Sequence, residues 1–166
     1  FNGPIGTTSM RQPQIRYTYK TPNVGNYTAA LENPDSYVLN PTSGSAYNFD
    51  KSISRTPDLV LRWDRAADWG TLSLRGVTQE LALKDGTTTV SDRGWGLGAS
   101  ATVKMFDADL LSLNLTGGDG IGRYFNYIEG AGYDAANNKI VKEKTVGTLL
   151  GYQHKFNDEY RMNVAY

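Results

Sequence analysis

The sequence predicts an all-β fold: the wall of an antiparallel, up-and-down transmembrane β-barrel, a meander of about eight strands forming part of a larger barrel. Its predictors are a recurrent alternation of apolar and polar side chains, an alternation in the length of the connections, and aromatic residues gathered beside the shorter connections. No segment holds a helical period, and no apolar run approaches the roughly 18 residues of a membrane-spanning helix. Hydrophobic residues make up 39% of the 166. That average suits a barrel strand, which shows lipid only every second residue.

The strands follow in order. Over residues 14–20, Ile15, Tyr17 and Tyr19 form one face and Gln14, Arg16, Thr18 and Lys20 the other. Tyr27, Ala29 and Leu31 mark the next apolar face. Leu59, Leu61 and Trp63 then alternate with Val60, Arg62 and Asp64. Over residues 69–79, Leu72 and Leu74 oppose Thr71, Ser73 and Arg75. The longest case covers residues 93–105, where Trp95, Leu97, Ala99, Ala101, Val103 and Met105 alternate with Gly96, Gly98, Ser100, Thr102 and Lys104. A period of two held this long matches the ~10 residues with which a tilted strand crosses a bilayer. Leu111, Leu113 and Leu115 oppose Ser112, Asn114 and Thr116. The last strands carry Val146, Leu150, Tyr152 and Phe156, then Tyr160, Met162, Val164 and Tyr166.

Alternation alone also fits a soluble sandwich, so the connections decide. Residues 21–25, 66–68, 107–108 and 157–159 read as short turns, and residues 33–57, 84–92 and 117–144 as long external loops. Tight turns at one end and long loops at the other are the plan of an outer-membrane barrel, whereas a sandwich has no reason to sort its loops by end. Residues 1–166 therefore read as a single barrel segment. Tyr19, Tyr27, Trp63, Trp69, Phe106, Phe156 and Tyr160 flank the short turns, as an aromatic belt at a membrane interface would.

Residues 1–20 resemble a stretch of the DcaP-like outer-membrane porins, in which a Gly/Pro-containing loop leads into an Arg-Gln-Pro-Gln strand start and an Arg-Tyr-Thr strand. The matching residues here are Arg11, Gln12, Pro13, Gln14, Ile15, Arg16, Tyr17 and Thr18. Leu61-Arg62-Trp63 and Gly94-Trp95-Gly96-Leu97-Gly98 fit the same style. The resemblance implies about twice as many strands in the whole protein, a homotrimer of pores, and uptake of small anionic solutes such as dicarboxylates and aromatic acids. It also implies an N-terminal helical segment before this chain, which would make the chain an interior piece.

In a barrel the inward face carries function. Strand parity puts Arg16, Lys20, Arg62, Asp64, Arg75, Lys104, Lys155 and Arg161 there. That is a cationic wall in a chain whose 17 basic and 17 acidic residues cancel. Cations lower the entry barrier for anions, and guanidinium forks suit carboxylates. Arg16, Arg62, Arg75, Lys104 and Arg161 are the expected pore-lining residues, with Arg16, Arg62 and Arg75 deepest in their strands. The alternative is that they pair with acids on neighbouring strands. The expected function is an outer-membrane porin, a passive diffusion channel for small hydrophilic, preferably anionic solutes, embedded in outer-membrane lipid and lipopolysaccharide. Competing readings are a complete eight-stranded barrel serving as anchor or adhesin, and a soluble all-β binding module.

Other chemistry finds little support. The absence of cysteine excludes disulfides, thiolate metal sites and a Cys nucleophile. His154, the one histidine, has outward parity near an interface, and no serine or orienting partner can be named for it. Asp119, Glu129 and Asp134 lack the spacing of a calcium loop. The run Gly118-Asp119-Gly120-Ile121-Gly122 precedes no helical pattern, so it is not a nucleotide fingerprint. No basic cluster with interleaved aromatics suggests nucleic acid. No cofactor, metal or enzymatic activity is expected.

Overall fold

The computed structural model describes residues 11–40, 49–106, 108–125 and 128–166. Its strands are β1 (Gln14–Thr21), β2 (Gly25–Glu32), β3 (Val38–Leu39), β4 (Asp58–Ala67), β5 (Gly70–Asp85), β6 (Thr88–Met105), β7 (Asp109–Asp119), β8 (Ala131–Asp134), β9 (Lys139–Lys142), β10 (Lys144–Lys155) and β11 (Arg161–Ala165). Eight of them form one sheet in the order β1-β2-β4-β5-β6-β7-β10-β11, as the alternation predicts. Every neighbouring pair in it is antiparallel. The other three form a small sheet, β3-β8-β9.

Register converts alternation into two faces, because residues opposed across an antiparallel pair share a side. One row runs Tyr17, Ala29, Leu61, Gly76, Leu97, Gly117, Val146. The adjacent row on the other face runs Thr18, Thr28, Arg62, Arg75, Gly98, Thr116, Gly147. The first face is apolar and uncovered: Ile15 is 81% exposed, Leu97 64% and Val146 75%. A contiguous apolar surface of this kind is costly in water and stable against hydrocarbon. Tyr19, Tyr27, Trp69, Phe106, Phe156 and Tyr160 stand exposed around the short-turn end.

The hydrophobic core sits at the opposite end. Val38, Leu81, Leu83, Ala131, Tyr133 and Ile140 pack together, with Val90 against them. This cluster joins the small sheet to the ends of β5 and β6 that project past the other strands. Residues 84–92, expected as a long loop, are therefore strand: β5 and β6 pair as far as Asp85 and Thr88 and turn through Gly86, whose φ of +59 is the left-handed value that glycine adopts without strain. Leu81 and Leu83 are buried under the small sheet and Val90 is half-buried against them, so the segment stays extended. The difference in reach between the two ends survives, carried here by strand length instead of loop length.

Among the described residues β1 and β11 lie at opposite edges of the sheet and do not pair. A closed barrel of eight strands would join them. A sandwich would bury the Leu97 row under a second sheet, and the only other described sheet caps the long-loop end instead.

Candidate solute-facing wall and inward loop

All five expected pore-lining residues fall on the polar face by register: Arg16 opposite Ala30, Arg62 opposite Arg75, Lys104 opposite Leu110, and Arg161 opposite Lys155. The structure brings only Arg62 and Arg75 together. Arg16 lies on edge strand β1, with β2 between it and β4. Lys104 and Arg161 stand exposed at the short-turn end on separate strands.

Arg62 and Arg75 differ in how they are held. Asp64, two residues along the same strand and on the same face, accepts from Arg62 Nε at 2.7 Å and neutralises it locally. Arg75 donates through Nη2 to Asn114 Oδ1 at 2.5 Å and Thr116 Oγ1 at 3.0 Å, both neutral acceptors. Its guanidinium lies over Gly98, where an added Cβ would come within 2.6 Å of Nε. The glycine of the Gly-Leu-Gly alternation thus makes room for the arginine.

Over this wall folds the segment after β7. Ile121 is buried against the sheet, and a Cβ at Gly96 or Gly118 would meet its Cδ1 at 2.5 or 2.9 Å. A single 3-10 turn, Gly122–Tyr124, follows. Gly122 and Gly130 touch backbone to backbone, a Cβ on either coming within 2.4 Å of the other's nitrogen or of residue 129, so the segment closes on itself. Gln79 of β5 pins its base by donating to the Gly120 carbonyl at 2.5 Å. The glycine-rich run that matched no nucleotide motif is the seat of an inward loop.

The tip of this loop reaches the far strands. Arg123 Nη2 donates to Asp58 Oδ2 at 2.9 Å, Gln12 Oε1 at 2.6 Å and the Asn33 carbonyl at 3.1 Å, and Nη1 donates to the Asp35 carbonyl. Tyr124 gives its hydroxyl proton to Asp58 Oδ2 at 2.6 Å. Glu32 Oε2 lies 3.3 Å from that hydroxyl and accepts from Gln12 Nε2. A buried charge is stable only with partners of this kind, and among the described residues the Arg123 Nε alone of its nitrogens has none. Glu32, Val60, Arg75, Thr116 and Tyr124 line a cavity of about 240 Å³ between loop and wall. Asn26, Asp64, Ser73 and Ser100 line a second space, of about 390 Å³, nearer the short turns.

Sequence reasoning missed Glu32, Asp58, Arg123 and Tyr124. The first two close the ends of strands just outside the expected 33–57 loop and were not singled out, and their pairing, Glu32 opposite Asp58, sets both on the polar face. That face is thus less one-sidedly cationic than parity counting gave. Only Ile121, a lone apolar residue inside a glycine run, signalled that the segment returns to the wall. His154 also gains a partner that the sequence did not offer: its Nδ1 lies 2.9 Å from Asp109 Oδ2, and Tyr152 donates to the same carboxylate. Asp134 accepts from the backbone of Ala136 and Asn137 and so caps the β8–β9 turn.

No protein-family model matches the chain, and no curated protein matches it. A solved structure does. The crystal structure of the outer membrane channel DcaP of Acinetobacter baumannii aligns with a TM-score of 0.75 at 20% sequence identity, over 98% of this chain and 45% of that one. The chain thus has the fold of an outer-membrane barrel wall of the DcaP kind, and spans less than half the length of that channel.

Proposed function

We propose that the chain is part of the wall of an outer-membrane porin, a passive diffusion channel for small hydrophilic solutes with a preference for anions of the dicarboxylate or aromatic-acid type. The observation that carries the reading is the register of Arg62 against Arg75 on the polar face, with Arg75 lining the cavity beneath the inward loop. Like charges opposed across a strand pair repel, and a sheet has no structural reason to place them so. An anion passing between them relieves that repulsion. Arg75, held by neutral acceptors alone, keeps its charge for the solute.

Selection then needs no covalent step. The loop narrows the path, the two arginines lower the barrier for anions, and Asp64 beyond them keeps the attraction shallow enough for release. Across the wall, the exposed row containing Tyr17, Leu61, Leu97 and Val146 faces outer-membrane lipid and lipopolysaccharide, with aromatic residues at one interface. Hydrocarbon offers no hydrogen bonds, so the edges of β1 and β11, unpaired among the described residues, are paired by further strands of the whole protein. Three such barrels assemble as a homotrimer.

Reversal potentials across planar bilayers, measured with the full-length protein in a salt gradient, test the reading. Anion-selective current is expected. Cation preference, or a folded protein that never opens, overturns it.

A further inference from the structure

The cavity beneath the inward loop holds one charge of each sign, and neither is neutralised by protein. Arg75 spends only its Nη2 hydrogens, on Asn114 and Thr116, and forms no ion pair among the described residues. Its Nε and Nη1 hydrogens have no protein acceptor there and remain to donate singly to a carboxylate. Glu32 uses only Oε2, toward Gln12 and Tyr124, and likewise forms no ion pair. Its Oε1 is left with no protein donor among the described residues. Asp58, its cross-strand neighbour, has taken the buried Arg123 instead.

Val60, Val77 and Ile121 line the same cavity and give it an apolar wall. Its volume of about 240 Å³ holds some eight waters at ~30 Å³ each. An unneutralised cation and anion facing one small apolar space are complementary to a solute with the same two charges and a compact hydrocarbon body.

We infer that this cavity is a binding station for small zwitterions with an apolar side chain, of the branched α-amino-acid type: the carboxylate on Arg75, the ammonium on Glu32 Oε1, and the side chain against Val60, Val77 and Ile121. The inference rests on the channel reading for its purpose, although not for its binding. Such a solute gains at both ends, while a simple anion meets Glu32 unfavourably and a simple amine meets Arg75 unfavourably.

Titration calorimetry on the full-length protein in detergent tests the station without requiring conductance. The probes are L-leucine, 4-methylpentanoate, which lacks the amine, and 3-methylbutan-1-amine, which lacks the carboxylate. Leucine is expected to bind about tenfold more tightly than either, one charge-assisted hydrogen bond being worth at least that much. Glu32→Gln, of the same shape, should bring leucine down to the level of 4-methylpentanoate without weakening the latter. Arg75→Gln should weaken both. Leucine binding no tighter than 4-methylpentanoate, or leucine indifferent to Glu32→Gln, overturns the station. Bilayer conductance of the same preparation reads the channel separately, so an open, anion-selective pore that ignores leucine sinks only this inference. Heat-modifiable gel mobility establishes that each variant is folded.

Discussion

Arg123 in the inward loop and Asp58 at the long-loop end of β4 form an ion pair of 2.9 Å with side chains only 2% and 1% exposed. The pair joins residues 65 positions apart in the chain and fixes the loop tip across the polar face. Buried pairs of this kind contribute less to overall stability than to holding one geometry, because desolvation offsets much of their attraction. Breaking one side is another matter, since it leaves a buried charge alone.

Arg123→Ala should therefore free the loop tip and leave Asp58 uncompensated, at a cost of about 3–5 kcal/mol. The expected readout is a wider, noisier pore: higher single-channel conductance together with a lower urea midpoint. Tyr124→Phe removes only one bond to Asp58 and should cost about 1 kcal/mol with little change in conductance. Unchanged conductance in folded Arg123→Ala would show that the latch does not set pore width.

At the arginine pair the two substitutions should differ. Arg75→Ala removes the cation without an acid neighbour and should abolish most anion preference, seen as a reversal potential moving to near zero. Arg62→Ala also unmasks Asp64, so its reversal potential should move further, toward cation preference. Equal shifts would contradict the roles assigned from their partners.

Two glycines that seat the loop should separate by what their added methyl group meets. At Gly118 a Cβ comes within 2.2 Å of the Trp95 carbonyl oxygen and 2.6 Å of Gly96 Cα, both backbone. At Gly96 the nearest atom is the Ile121 side-chain tip, which can swing aside. Gly118→Ala should be the more destabilising, by roughly 1–3 kcal/mol as overpacking goes, while Gly96→Ala should mainly loosen the loop. Proteolysis within residues 120–130 distinguishes the two.

Lipid exposure of the apolar face can be tested on adjacent residues of β7. Leu113 is exposed on the apolar side and Ser112 faces the polar side. Leu113→Arg places a charge in hydrocarbon and should cost about 2–4 kcal/mol of folding in vesicles. Ser112→Arg should fold nearly as well as wild type. Equal penalties would mean that the apolar side does not meet lipid.

The cap at the long-loop end should weaken in acid through Glu80. Burial pushes the Glu80 carboxyl up, but hydrogen bonds from Arg55 and Thr56 outweigh it and hold the group below its usual 4.5. A carboxyl depressed on folding stabilises at pH above its unfolded value, and that contribution is lost as pH falls through the folded value. Hydrogen exchange at Leu81–Leu83 should therefore quicken, relative to intrinsic rates, below about pH 4.5. In Arg55→Ala the folded value moves back toward the unfolded one, so the acid acceleration should shrink. Arg55 is half exposed, so the effect is modest and shrinks with salt.

Much of this protein was legible in residue order because a barrel wall is built from local rules. Period two sets the face of every side chain, and short turns keep successive strands adjacent, so Arg62, Arg75, Leu97 and Val146 could be assigned inward or outward from their neighbours alone. What lies at the strand ends obeyed no such rule. Residues 84–92 became strand because a small sheet formed by distant segments buried Leu81 and Leu83 and packed against Val90. Glu32 and Asp58 kept the parity of their strands, but the Arg123 that binds Asp58 found its acceptors far away in the chain. Those contacts depend on closing long loops, whose path is chosen by the sum of many distant interactions and leaves no period in the sequence. Alternation determined the wall; only tertiary folding decided what narrows it.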